Sequence, residues 1–218
     1  MIYRHELEER RARATYDAGD RELPPFAGPE YWEDQDEYLR ARGLSPRLAR
    51  LNGWYPSVQA GDSALRIVMP ASPMVMKFWQ ARLLEEPSRG LMQKRYQSPH
   101  GARGPAVIIV YPNRIVDLTV VIVEGPMDAL AAADAGAIGV SLMGNTPGPP
   151  PLEYIAVSFP TFRALVVPDR DAVDAGARIM LMLVGHGMSA ALLPLPPAWK
   201  DLADVPADKR AEFLGVGA

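Results

Sequence analysis

Residues 120–136 read VVIVEGPMDALAAADAG, and residues 166–176 read VVPDRDAVDAG. Each stretch joins an apolar run of strand length to a helical pattern through a short acidic link, the signature of a strand feeding a helix. Pro126 suits a first helical position and Gly136 a helix end. Working outward, LTVVIV, PMDALAAADAG, IGVSL, PLEYIAVSF, ALVV, DAVDAGARIMLMLVG and SAALL alternate strand with helix across residues 118–193. Such a βαβ series calls for a parallel sheet covered by helices on both faces, so the fold class is α/β. In the longest helical pattern Val173, Ala177, Met180, Leu181 and Val184 recur at helical spacing, which assigns the methionines to the core. The run Pro147-Gly148-Pro149-Pro150-Pro151 reads as a stiff connector.

Upstream the pattern changes. From Tyr38, YLRARGLSPRLARLNGWYP reads as two short helices broken at Gly43-Leu44-Ser45-Pro46, with Ser45 as N-cap and Pro46 at the first helical position. Short apolar runs at Leu65–Met69, Val75–Trp79 and Ala106–Tyr111 suggest a small mixed or antiparallel sheet. Residues 1–37 mix charges with Pro24, Pro25, Gly28 and Pro29 and read as a helix followed by an irregular tether. Three segments result: 1–37, 38–116 and 117–218.

A 218-residue chain that is 48% hydrophobic can bury a substantial core. It contains no cysteine, which excludes disulfides, thiolate zinc sites and cysteine nucleophiles, so any metal is held by oxygen or imidazole. The N-terminus lacks the apolar centre of a signal peptide, and no stretch approaches the ~20 apolar residues of a membrane span. A cytoplasmic chain with no membrane partner is the expectation. The net charge of −3 is unevenly spread: residues 38–116 hold 12 Lys/Arg against 3 Asp/Glu, and the flanking segments are acidic. A basic block of this kind is either plain solvated surface or a polyanion site.

In open α/β sheets, ligands gather beyond the carboxyl ends of the strands. Glu124 directly follows LTVVIV, and Asp169 and Asp171 follow ALVV at a spacing that points both side chains the same way in extended chain. Three carboxylates crowded there need a neutralising cation, and Mg²⁺ favours a few carboxylates plus substrate phosphate oxygens. That chemistry is metal-assisted phosphoryl transfer. The competing reading is helix capping, with Asp171 capping DAVDAGARIM and Glu124 preceding PMDALAAAD.

The succession VVIVEGPMDALAAADAG, VSLMGN, VVPDRDAVDAG resembles the TOPRIM domain shared by DnaG-type primases, topoisomerases and some nucleases. Its pattern is a strand ending in Glu-Gly with an Asp shortly after, then a strand ending in Asp-x-Asp. The resemblance implies that Glu124 is an acid/base group or metal ligand, that Asp169 and Asp171 are metal ligands, and that Asp128, the aspartate of the Glu-Gly element, is a further metal ligand. Gly176 arrives later than the usual spacing and Asp174 intervenes, so Asp174 reads as a helix residue. LPLPPAWKDLADV resembles the stretch closing the primase TOPRIM domain, which makes Asp201 and Asp204 further metal candidates, against an alternative as the exposed face of a short helix.

The likeness continues upstream. YLRARGLS, LARLNGWYP, RIVMP, FWQARLL and KRYQSP are similar in order and spacing to the basic subdomain that precedes TOPRIM in DnaG-type and phage primases. The resemblance implies a subdomain that guides template and nucleotide, with Arg66, Arg82, Lys94 and Arg95 along the phosphate path and Lys77 and Arg103 as weaker members. Trp79 and Tyr96 could stack on bases or serve as core, and His100 lies in a polar loop. The implied function is a DNA primase catalytic core that makes short primers on single-stranded DNA from nucleoside triphosphates with Mg²⁺ or Mn²⁺ and no zinc. Because no zinc ribbon and no GxxxxGK[ST] loop occurs in the sequence, a separate helicase or zinc-ribbon partner is expected, in a bacterial cell or phage-infected host. The alternatives are a TOPRIM nuclease using metal-activated water and a non-catalytic single-strand-binding accessory module.

Overall fold

The computed structural model describes residues 22–58, 64–74, 77–85, 94–101 and 104–217. Its centre is a five-stranded sheet in which four strands are parallel. They are β6 (Thr119–Val123), β7 (Ile138–Ser141), β8 (Arg163–Val166) and β9 (Ser189–Leu192), and β5 (Ile108–Val110) pairs antiparallel with β7 at the edge. The strand order is β5-β7-β6-β8-β9. Because β6 leads to β7 on one side and β8 leads to β9 on the other, the connections diverge between β6 and β8. A crevice opens at such a point, beyond the strands' carboxyl ends.

The period-2 alternation of the strands divides their side chains between two cores. Val121, Val123, Leu165 and Val167 face one core with helix α3 (Pro126–Asp134), whereas Val120, Ile122, Ala164 and Val166 face the other with α4 (Pro149–Ser158) and α5 (Val173–Gly185). Helix α3 is almost wholly buried and lies unusually close to β7. A Cβ at Gly139 would stand 1.9 Å from the Ala129 carbonyl oxygen, so glycine is required there.

The upstream sheet is antiparallel, in the order β1 (Tyr55–Ser57), β2 (Arg66–Pro70), β3 (Trp79–Leu83), β4 (Tyr96–Gln97). It is preceded by α1 (Trp32–Ala41) and α2 (Pro46–Leu51), where the Ser45 hydroxyl accepts the Leu48 N–H at 3.1 Å as the N-cap. The two sheets share one core. Leu39, Leu48, Trp54, Ile67 and Phe78 pack in the same cluster as Val121, Met127 and Leu130.

Several expectations shift. Helix α1 starts at Trp32, across the expected boundary at residue 38. The run Ala106–Tyr111 supplies β5 to the parallel sheet, so the structural division falls ahead of that run and not at residue 116. The prolines at 149–151 form the first turn of α4, where a missing N–H costs nothing. On α5 the buried set is Ala175, Gly176, Ile179 and Leu183, while Leu181 and Val184 face outward. Residues 1–21, with their expected helix, together with Val75, Met76 and Arg103, lie outside the described residues. No described helix is long and apolar enough to cross a membrane.

Candidate active site

Glu124 and Gly125 form the link between β6 and α3, and Asp169 to Asp171 follow β8. Since β6 and β8 are neighbours with Ile122 opposite Val166, both acidic links emerge side by side at the divergence point. The Asp169 backbone N–H lies near enough to the Glu124 carboxyl to favour its ionised form, yet Glu124 Oε1 is buried with no partner. Burial first, then the charges of Asp169 and Asp171, push the Glu124 carboxyl up to about 7. Asp169 rises to about 6 through burial and the charges of Asp201, Asp171 and Asp204, opposed by Lys200. Glu124, Asp169, Asp171 and Asp201 therefore form one electrostatically coupled group.

Neither capping alternative describes the geometry. The N-cap of α3 is Gly125 and that of α5 is Ala172, both without a side-chain capping bond, and Asp171 is exposed. Asp174 sits in the first turn of α5, exposed to solvent. Asp201, by contrast, does cap: its Oδ1 accepts the Asp204 N–H at 3.0 Å, and Asp204 Oδ2 accepts the Lys200 N–H at 3.2 Å. Those bonds shape the turn Leu202–Asp204 that presents Asp201.

Asp128 lies deeper, 7% exposed, with Oδ1 accepting the Ala203 N–H at 2.9 Å. Burial, then the neighbouring Asp201, hold its carboxyl well above the usual range, and the Ala203 N–H and Arg42 oppose them. A Cβ on Gly125 would meet Asp128 Oδ2 at 2.9 Å, so a larger residue there would press on the Asp128 carboxylate. Asp128, expected to ligate an ion alongside Glu124, gives its Oδ1 to the Asp201 turn.

Among the described residues, no three acidic or imidazole side chains close on one point as a ready-made metal cage. The donor set nevertheless fits a hard cation that keeps open positions. All its donors are oxygen, the charges of Asp201 and Asp171 raise the Asp169 carboxyl, and the Lys200 ammonium opposes them. Mg²⁺ is typically held by one or two carboxylates plus water and substrate phosphates, and that needs no preformed cage.

The basic residues divide into two kinds. Arg66 is fully buried and its Nη1 donates to the Lys94 carbonyl at 3.0 Å. Arg82 is 6% exposed, donates to the Tyr96 hydroxyl at 2.7 Å and to the Tyr38 hydroxyl, and stacks over both rings. Both sit on interior strands of the antiparallel sheet, so as placed they fix β4 and do not offer phosphate a surface. Lys94, Arg95 and Lys77 are exposed, as is His100. Trp79 is core, packed with Val68 and Ala81. Tyr96 stands beside the acidic group: burial pushes its hydroxyl up to about 12, and Asp128 contributes to the rise.

Two arginines with no motif-level signal also join this region. Arg170, between the two aspartates, donates its Nη1 to the Pro197 carbonyl at 2.8 Å, and its backbone N–H meets the Lys200 carbonyl at 2.9 Å. Arg210, on α6 (Ala207–Leu214), is buried beneath the Asp201 turn.

No protein-family model and no curated protein sequence matches the chain. Solved structures do. The Aquifex aeolicus primase, comprising zinc-binding and RNA polymerase domains, superposes with a TM-score of 0.62 at 14% identity over 87% of this chain, which spans only 56% of that one. The E. coli primase catalytic core gives 0.61 at 16% identity, covering 86% of this chain and 72% of that one. The primase fragment of the bacteriophage T7 primase-helicase gives 0.58 at 16% identity, covering 81% and 72%. The crevice between β6 and β8, with the basic sheet ahead of it, thus belongs to a chain that has the fold of DnaG-type and phage primase catalytic cores.

Proposed function

We propose that the chain is a primase-like nucleotidyltransferase that extends short strands on a single-stranded template. The observation that carries this reading is the acidic crevice between β6 and β8, where the Glu124 carboxyl, its Oε1 buried and unpartnered, lies within the fields of Asp169 and Asp171. Asp169 and Asp171, with Asp201 beside them, would hold Mg²⁺ or Mn²⁺, whose chemistry when bound is to neutralise triphosphate charge and position its oxygens. The Glu124 carboxylate accepts the proton of the attacking hydroxyl, and a carboxyl raised to about 7 suits that task near neutral pH. Lys94 and Arg95, exposed ahead of β4 and beside Tyr96, draw the phosphate backbone toward the crevice. The fold likeness agrees with this reading, and one of the similar structures is a DnaG catalytic domain bound to single-stranded DNA.

The test is to incubate the purified chain with single-stranded DNA, labelled nucleoside triphosphates and either metal. Short labelled products that need template and metal, and that vanish in Glu124→Gln, are expected. Shortening of the template would instead mark a nuclease. Neither product nor shortening, with the strand still bound, would mark a binding module.

A further inference from the structure

The turn that presents Asp201 is gripped from two sides. Asp128 Oδ1 takes the Ala203 N–H at 2.9 Å, and Arg210 Nη2 donates to the carbonyl of that same residue at 2.9 Å. Arg210 also donates Nε to the Val205 carbonyl at 2.8 Å and Nη1 to the Gly43 carbonyl at 2.8 Å. Its side chain is thus a three-way fastener between α6, the Asp201 turn and the loop joining α1 to α2. The residue is 2% exposed, and all three bonds go to backbone carbonyls, none to a carboxylate.

Burying a guanidinium is costly, and a well-packed apolar residue would hold a helix at lower cost. Helix α6 already has such anchors in Leu214 and in Phe213, whose ring meets Trp199 edge-on at 5.9 Å. What the guanidinium adds is direction. Its planar fork fixes the orientation of three carbonyls at once, as an ammonium or a methyl group cannot. Its charge also lies within the fields of Asp134, Asp128 and Asp201.

Resting on the metal-dependent reading above, we propose that Arg210 is a positioning residue for the acidic centre: it locks the Asp201 turn against α3 so that Asp201 stands beside Asp169. Arg210 touches neither substrate nor ion in this role. It acts through the backbone of Ala203 and Val205.

The experiment measures Mn²⁺ binding to the full chain by electron paramagnetic resonance. It uses wild type, Arg210→Lys, Asp201→Asn and the double variant, at a temperature where circular dichroism shows each folded. Losing an outer support of a metal ligand typically weakens affinity by about 10- to 100-fold. Arg210→Lys is therefore expected to weaken Mn²⁺ binding by about tenfold in the wild-type background, and to change it little once Asp201 is already Asn. Lysine preserves the charge and reaches one carbonyl at a time, so it perturbs the fold less than Arg210→Met. Amide hydrogen exchange at Ala203 gives a second reading and should quicken in Arg210→Lys while Val140, in the sheet centre, stays protected.

A lowered melting temperature with unchanged Mn²⁺ affinity would make Arg210 a plain structural residue. An equal loss of affinity in the Asp201→Asn background would also overturn the inference. If wild type binds no Mn²⁺ at all, the metal-dependent reading fails and takes this proposal with it, an outcome distinct from a wild type that binds beside an unaffected variant.

Discussion

Replacing Glu124 by Gln is predicted to destroy nucleotide incorporation while making the metal-free chain more stable at pH 8. The carboxyl rises from its ordinary value near 4.5 to about 7, first through burial and then through Asp169 and Asp171. An acid whose folded pKa is raised holds its proton more tightly when folded, so the native state gains as pH falls and loses as pH climbs from about 4.5 through 7. A shift of that size corresponds to about 3 kcal/mol when fully expressed. Partial solvent access reduces it to roughly 1–2 kcal/mol. Glutamine removes the charge in nearly the same shape but leaves an amide group at the buried Oε1 position, which costs about 1 kcal/mol. The net gain, about 1 kcal/mol, corresponds to ~2–4 °C in melting temperature for a chain of this size. The assay is thermal unfolding at pH 8 and pH 5, with and without millimolar Mn²⁺. The variant should melt above wild type at pH 8, show no advantage at pH 5, and keep most of the stabilisation by metal, because Asp169 and Asp171 remain. A melting temperature lowered equally at both pH values would refute the reasoning and make Glu124 a structural residue.

Asp169→Asn and Asp171→Asn are each expected to abolish incorporation and the thermal response to metal, read by the same unfolding scans, with the fold intact. Asp171→Ala should shift stability by no more than about 0.5 kcal/mol, because Asp171 is exposed and Ala172, without a side-chain bond, is the N-cap of α5. Reversing Lys94 and Arg95 together to Glu should weaken single-stranded DNA binding and lower the slope of log affinity against log salt by about one unit or more, measured by fluorescence anisotropy. Arg66→Met should act differently from that pair, unfolding at lower denaturant before any binding effect is seen, because its guanidinium is buried against the Lys94 carbonyl. Trp54→Ala, in the core shared by the two sheets, should cost ~3–5 kcal/mol in chemical denaturation.

The acidic crevice was legible because its parts are local. A strand of five consecutive buried residues, Thr119–Val123, ends just before Glu124, and a second strand ends three residues before Asp169, so strand-end chemistry and topology give their meeting point without tertiary detail. Phase on α5 was not legible, for a physical reason. Residues 179–184 are apolar at every position, so periodicity cannot choose a face, and close packing of Gly176 on Pro168 chooses Ile179 and Leu183 instead. The basic residues mislead in the complementary way: charge type predicts exposure, but Arg66 and Arg82 occupy interior positions of the antiparallel sheet and spend their donors on a carbonyl and two tyrosine hydroxyls. Arg210 shows the limit most clearly. Its three acceptors lie 5, 7 and 167 residues away in sequence, and all three are backbone carbonyls, which no side-chain motif can encode. A positioning role of that kind depends on chain path alone, so it becomes visible only once the turn at Gly43 and the turn at Asp201 are brought to the same helix.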